Sequence, residues 1–216
     1  MSTDVALDPR QRLLGRILAE LERSGTRYAL IHSGGDQLPR VTSDVDIAFE
    51  APPPLAIEPI LLRFARDAEC EIVQRLHYDI PHAYYYILRV PGDTLAFLHL
   101  DCLCDPIGVN RYRFPSPYLL EGAIKGVYGT RTGARREGIY LLMKRAVKGK
   151  VTQEGLTTLR DRFAAIPALW DDVDRWFGEA ARNVVDLIAG YGEIWSTRLF
   201  REFFERRGAR AGEVRW

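Results

Sequence analysis

The chain reads as an α+β protein: a small mixed or antiparallel sheet with flanking helices, followed by an all-helical C-terminal part. Three observations predict this. Short apolar stretches with period-two alternation recur up to about Asp105, while helical spacing of apolar residues dominates beyond Pro106. Turn-forming clusters at Asp79-Ile80-Pro81 and Pro91-Gly92-Asp93 separate three of the alternating stretches at hairpin distance. The expected division is an α/β domain over 1–107, a helical domain over 108–207, and a basic tail or linker over 208–216.

Asp8-Pro9 opens a first helix, with Asp as N-cap and Pro at the first helical position. Leu14, Ile17, Leu18 and Leu21 form its apolar stripe, and Gly25 ends it. A strand from Arg27 to His32 follows, then a glycine turn at Gly34-Gly35, then a strand from Asp44 to Glu50. Ala51-Pro52-Pro53-Pro54 reads as a stiff connector. A helix over 58–68 turns Ile57, Leu61, Phe64 and Ala68 inward, and strands follow over 71–76, 82–90 and 95–103. Ser116-Pro117 starts a helix that carries Leu120, Ala123, Ile124 and Val127 on one side. Residues 126–133 read as a glycine-rich basic loop, and helices follow over 137–148, 153–163, 169–177, 180–189 and 194–206. On the helix over 137–148, Tyr140 and Lys144 share a polar side.

The 216 residues allow one substantial core, or a domain with a helical appendage. Net charge of +1 argues against a broad basic surface, and so against long nucleic acid as a partner. No apolar run approaches the ~18 residues of a membrane span. Met1-Ser2-Thr3-Asp4 lacks the pattern of a signal peptide, so the expectation is a cytoplasmic protein. Cys70, Cys102 and Cys104 fit reduced thiols packed in a core.

The chemistry concentrates in Ser43-Asp44-Val45-Asp46-Ile47-Ala48-Phe49. Alternation puts Val45, Ile47 and Phe49 on one face, and Asp44, Asp46 and Ala48 on the other. Two carboxylates about 7 Å apart on one strand face repel, and a hard divalent cation is the common reason for such a pair. In Leu98-His99-Leu100-Asp101-Cys102, His99 and Asp101 share one face while Leu98, Leu100, Cys102 and Cys104 share the other. If the two strands are neighbours, Asp101 completes a three-carboxylate cluster with Asp44 and Asp46.

A small-residue pair after a strand, then Asp-x-Asp flanked by hydrophobics, then a lone Asp on a later strand, resembles the nucleotidyltransferase fold of the DNA polymerase beta superfamily. Gly34-Gly35 precedes Asp44 by eight residues, one short of the family spacing, and reading Ser33-Gly34 as the pair restores it. More narrowly, the 28–49 stretch, His99-Leu100-Asp101 and Glu137-Gly138-Ile139-Tyr140-Leu141-Leu142 look like a bacterial subgroup often found ahead of thymidylate-kinase-like domains.

The resemblance implies Asp44, Asp46 and Asp101 as metal ligands and catalytic residues, with Mg²⁺, or Mn²⁺ in its place. Asp101 would serve as general base or shared ligand. It implies Ser33, Gly34 and Gly35 at the phosphates of a nucleoside triphosphate, ATP being the expected donor. Lys144 with one of Arg131, Arg135 or Arg136 is expected to neutralise triphosphate charge. The function expected is transfer of a nucleoside monophosphate to an acceptor hydroxyl on a small molecule or protein. The alternatives are a non-catalytic nucleotide-binding or regulatory module and a toxin–antitoxin component, either with a kinase-like or helical partner protein.

Overall fold

A computed structural model of the chain describes residues 8–31, 41, 44–77, 83–92, 96–104, 116–148 and 153–177. These form a mixed α/β structure in two compact units, one holding the sheet and its helices, the other the three helices that follow Gly133. Each unit is described by itself.

The first helix, α1 (Pro9–Arg23), starts as its sequence dictates. The Asp8 carboxylate accepts from the Arg10 backbone N–H at 2.8 Å, and the Gln11 side chain accepts from the Asp8 N–H at 3.2 Å, closing a capping box. Pro9 occupies a position whose N–H would have no helical partner. Leu13, Leu14, Ile17, Leu18 and Leu21 are buried, and Gly25 leaves the helix with φ of +69°.

Strands β1 (Tyr28–Leu30) and β2 (Val45–Phe49) pair antiparallel, Tyr28 opposite Phe49 and Leu30 opposite Ile47. The proline run is not a mere connector. Pro53–Ala56 forms a one-turn helix, α2, because proline's fixed φ suits a first turn. Helix α3 (Glu58–Arg66) buries Ile60, Leu61 and Phe64; it stops short of Ala68, which is exposed in a left-handed conformation with φ of +56°. Strands β3 (Glu71–His77), β4 (Ala83–Arg89) and β5 (Phe97–Leu103) pair antiparallel in succession, as the turn residues predict.

The largest departure from expectation follows Ser116. Helix α4 covers only Ser116–Leu120, and the chain then forms a hairpin of β6 (Ile124–Gly126) and β7 (Gly129–Arg131) around Val127-Tyr128. Leu120, Ala123, Ile124 and Val127 carry helical spacing, but glycine at 122, 126 and 129 weakens a helix there. Ile124 and Val127 are consequently exposed instead of forming a buried stripe. The hairpin joins the sheet through parallel pairing of β7 with β1, so the sheet has seven strands in the order β3-β4-β5-β2-β1-β7-β6.

One face of this sheet carries the core. Leu30, Val45, Ile47, Phe49, Tyr86, Leu88, Leu98, Leu100, Cys102 and Cys104 pack with the apolar residues of α1 and α3. All three cysteines are buried and free, and burial pushes the Cys70 thiol up to about 11. Tyr28 ties the hairpin to this core: its phenol oxygen accepts from the Thr130 N–H at 3.2 Å, and the Thr130 hydroxyl donates to Glu22 on α1 at 2.6 Å.

In the second unit, α5 (Ala134–Lys148) packs against α6 (Gln153–Ala165) and α7 (Leu169–Phe177). Phe163 and Trp170 meet edge to face with ring centroids 4.9 Å apart. Tyr140, expected on a polar side, is buried together with Glu137, Ile139 and Leu142. The expected helices over 180–189 and 194–206, and the tail from 208, lie outside the described residues. Among the described residues no helix is long and apolar enough to cross a membrane.

Two outcomes follow from the Tyr28 tie and the buried phenols. A Cβ at Gly129, whose φ is +126°, would sit 2.5 Å from the Tyr28 hydroxyl. Gly129→Ala should therefore lower unfolding free energy by about 2–4 kcal/mol in a denaturant titration, strain and overlap together. A change within about 0.5 kcal/mol would show that the hairpin is not held as described. Burial, followed by its carboxylate neighbour Glu22, raises the Tyr28 phenol above the ordinary tyrosine range. Burial, followed by the hydrogen bond to Glu58, does the same for Tyr86. Their contribution is complete below about pH 10 and is lost as pH rises through the folded-state values. In an alkaline absorbance titration, these two of the ten tyrosines should ionise only as the protein unfolds. Reversible ionisation of all ten near pH 10 with native circular dichroism would contradict this.

Candidate metal centre on the sheet

The face of β2 and β5 opposite the core carries the carboxylates. β2 pairs with β5 in parallel, with Asp46 beside Asp101 and Ile47 beside Cys102. Side chains of paired residues leave the pleat on the same side. The same register that buries Ile47 and Cys102 therefore sets Asp46 and Asp101 next to each other. Asp44, one residue ahead of β2, shares their phase. One carboxylate oxygen from each of Asp44, Asp46 and Asp101 lies within 4.8 Å of the others. Asp44 is exposed, while Asp46 and Asp101 are half-buried.

Like charges at that separation repel by roughly 3–4 kcal/mol per pair at an effective dielectric of 20. A cation placed among the three would offset that repulsion. The donor set suits a hard one: three carboxylates, with the thiols of Cys102 and Cys104 in the core on the opposite face. Oxygen-only donors fit Mg²⁺ or Mn²⁺ and not a thiolate-seeking metal.

The next strand extends this face. Tyr85 on β4 pairs with Asp101, and its neighbours Tyr84 and Tyr86 point the other way. The Tyr85 hydroxyl lies 3.0 Å from His99 Nδ1, with the two rings edge to face at 5.7 Å. Burial, then the charges of Asp44, Asp101 and Asp46, raise the Tyr85 phenol above its ordinary range. All three carboxylates thus act on this hydroxyl. The sequence carries a signal for Tyr85: in a strand next to β5, the middle of three consecutive tyrosines falls in phase with either Asp101 or its core-facing neighbours.

The other expected site residues are placed differently. Ser33, Gly34 and Gly35 lie outside the described residues. Arg131 is on β7 instead of in a loop, and its register partner is Leu30, whose side chain belongs to the core. That is the pleat phase opposite to Asp46 and Asp101. Arg135 is in the first turn of α5, which starts three residues ahead of the expected 137, and Lys144 is further along that helix with its side chain outside the described residues. The Arg135 guanidinium donates twice to the Asp172 carboxylate, at 2.5 and 3.0 Å. Asp172 is buried in the first turn of α7, where its charge also suits the helix N-terminus.

No protein-family model matches this chain, and no curated protein does. Among solved structures, the chain is similar to an antigenic nucleotidyltransferase-like protein from Paracoccidioides brasiliensis. The two are 13% identical over 74% of this chain and 76% of that one, with a TM-score of 0.40. A likeness of that degree carries no argument about this chain's chemistry.

Because Asp172 is buried and Arg135 is half exposed, the two halves of their pair are unequal. Arg135→Ala strands a buried carboxylate and should destabilise the helical unit by about 2–3 kcal/mol. Asp172→Asn leaves a guanidinium that water can reach, and should cost less. Chemical denaturation of the two variants compares them directly, and equal losses would remove the asymmetry.

Proposed function

We propose that the chain is a Mg²⁺-dependent nucleotidyltransferase that moves a nucleoside monophosphate from a nucleoside triphosphate, ATP in the first instance, to an acceptor hydroxyl. The observation that carries this reading is the convergence of Asp44, Asp46 and Asp101 within 4.8 Å on one sheet face. Their order along the chain also resembles the nucleotidyltransferase fold.

In this reading Asp44 and Asp46 hold the cation, with Asp101 sharing it or facing the acceptor. The ion, when bound, offsets charge on the triphosphate and on the leaving pyrophosphate. Asp101 receives the proton of the acceptor hydroxyl as its oxygen bonds to the α-phosphorus and the bond to the bridging oxygen breaks. Mounting Asp46 and Asp101 on paired central strands fixes their spacing before substrate arrives, so little reorganisation is left for the reaction. Ser33, Gly34 and Gly35 are the proposed phosphate contacts. Arg135 is already engaged by the Asp172 carboxylate within the helical unit.

Calorimetric titration with ATP, GTP, CTP and UTP, with and without Mg²⁺, tests the reading. Metal-dependent binding of one triphosphate is expected. Asp44→Asn and Asp46→Asn should each weaken it at least about tenfold, a loss of about 1.4 kcal/mol, without lowering the melting temperature of the metal-free protein. Asp101→Asn should slow turnover by about 10²–10⁴-fold and retain most triphosphate affinity. Unchanged affinity in both Asp44 and Asp46 variants would remove the metal site. Tight binding with no turnover would make the chain a nucleotide-binding module.

A further inference from the structure

We propose that Tyr85 is itself an acceptor in this site: its phenol is nucleotidylated by the chain that carries it, and for this one acceptor His99, in place of Asp101, takes the phenolic proton. The inference rests on the proposed function and adds to it a substrate, the tyrosine hydroxyl.

Three features of the sheet single out this residue. Asp46, Asp101 and Tyr85 are register partners on the consecutive strands β2, β5 and β4, so their side chains rise from one face in one row. The Tyr85 hydroxyl already makes a hydrogen bond of 3.0 Å to His99 Nδ1, a nitrogen that can receive its proton in the tautomer protonated at Nε2. The side chain is half-buried, leaving part of the ring reachable from solvent.

The flanking tyrosines provide a contrast within the same strand. Tyr86 is fully buried and donates to Glu58 at 2.9 Å, and Tyr84 lies under the Arg75 guanidinium, 5.1 Å from its ring centroid. Both belong to the core side of the sheet. Neither hydroxyl is in the row of the carboxylates.

The step balances without any further reagent. The Tyr85 oxygen bonds to the α-phosphorus of the triphosphate, and the bond from that phosphorus to the oxygen bridging to the β-phosphorus breaks. Pyrophosphate leaves with that electron pair, and the phenolic proton passes to His99 Nδ1. The product is a phosphodiester between tyrosine and the nucleoside. It would occupy the carboxylate face beside Asp101 and so obstruct any other acceptor approaching from β4.

The full chain incubated with Mg²⁺ and each of ATP, GTP, CTP and UTP, then digested and read by tandem mass spectrometry, tests this. The expected result is one nucleoside monophosphate on Tyr85, none on Tyr84 or Tyr86, and none in Tyr85→Phe. His99→Gln should slow its appearance by about 10²-fold with calorimetric affinity for Mg²⁺–ATP unchanged. A second readout needs no turnover: Mg²⁺ with α,β-methylene-ATP should protect Tyr85 from nitration by tetranitromethane. An adduct on another residue overturns the inference, as does calorimetric binding with neither adduct nor protection. Absence of Mg²⁺–triphosphate binding in the unmodified chain overturns the parent reading and this one with it.

Discussion

A one-residue slip of β2 against the core would exchange Val45, Ile47 and Phe49 for Asp44, Asp46 and Ala48, and this constraint holds the carboxylates where they are. Val45, Ile47 and Phe49 on β2, with Leu98 and Leu100 on β5, are buried in the core beneath α1 and α3. At about 1.5–3 kcal/mol for each large apolar side chain, the three on β2 contribute roughly 5–9 kcal/mol that its slipped register would forfeit, and the slip would turn the Asp44 and Asp46 carboxylates into the core at a cost of several kcal/mol each. Repulsion among three carboxylates is roughly 3–4 kcal/mol per pair at an effective dielectric of 20, and lower for Asp44, which faces water. A slip of β2 parts Asp101 from the other two and relieves two of the three pairs, roughly 6–8 kcal/mol at most, which is less than the lost burial and the two buried charges together. The like charges are therefore held together by apolar burial on the opposite face, not by any attraction among themselves.

The same division of faces explains the run Tyr84-Tyr85-Tyr86. A strand cannot send three consecutive side chains to one side. Tyr86 goes to the core and finds Glu58 for its hydroxyl, while Tyr84 stacks with Tyr86 at 6.3 Å between ring centroids. Tyr85 is left on the carboxylate face, where His99, two residues before Asp101, has the phase to meet it. Arg75 fits the core-side pair, reaching Glu58 at 3.1 Å while covering Tyr84. One strand thus serves as both core wall and site wall, and the pleat alone decides which tyrosine does which.

Local signals were readable where they did not compete. Asp8-Pro9, the leucines of α1 and the alternation of β2 and β5 specify helix start, helix face and strand phase without help from the rest of the chain. The cluster itself was legible as far as phase: Asp44, Asp46 and Asp101 could be put on one face each, but not side by side. That needs the parallel pairing of strands about fifty residues apart, set by how the intervening β3–β4–β5 meander folds back. At 116–131 two local signals conflict, apolar residues at helical spacing against recurrent glycines, and the sheet edge offered by β1 decides for the strand. The partner of Arg135 and the burial of Tyr140 were not legible for another reason. Their partners and burial come from helices packed against α5, and nothing near them in sequence announces Asp172.

Exposure within the cluster also orders its members. Asp44 sits off the end of β2 and is exposed, whereas Asp46 and Asp101 lie within paired strands and are half-buried. The repulsion that water does not screen is concentrated in the inner pair, because charge interactions strengthen as the local dielectric falls. A cation bound among the three, as proposed, would therefore relieve most at Asp46 and Asp101, with Asp44 a ligand whose own solvation it would partly displace. Affinity for such an ion would then be set mainly by the two residues mounted within paired strands, and access by the one at the strand end. An ion taken up by the proposed site would reach it past exposed Asp44 without any strand opening.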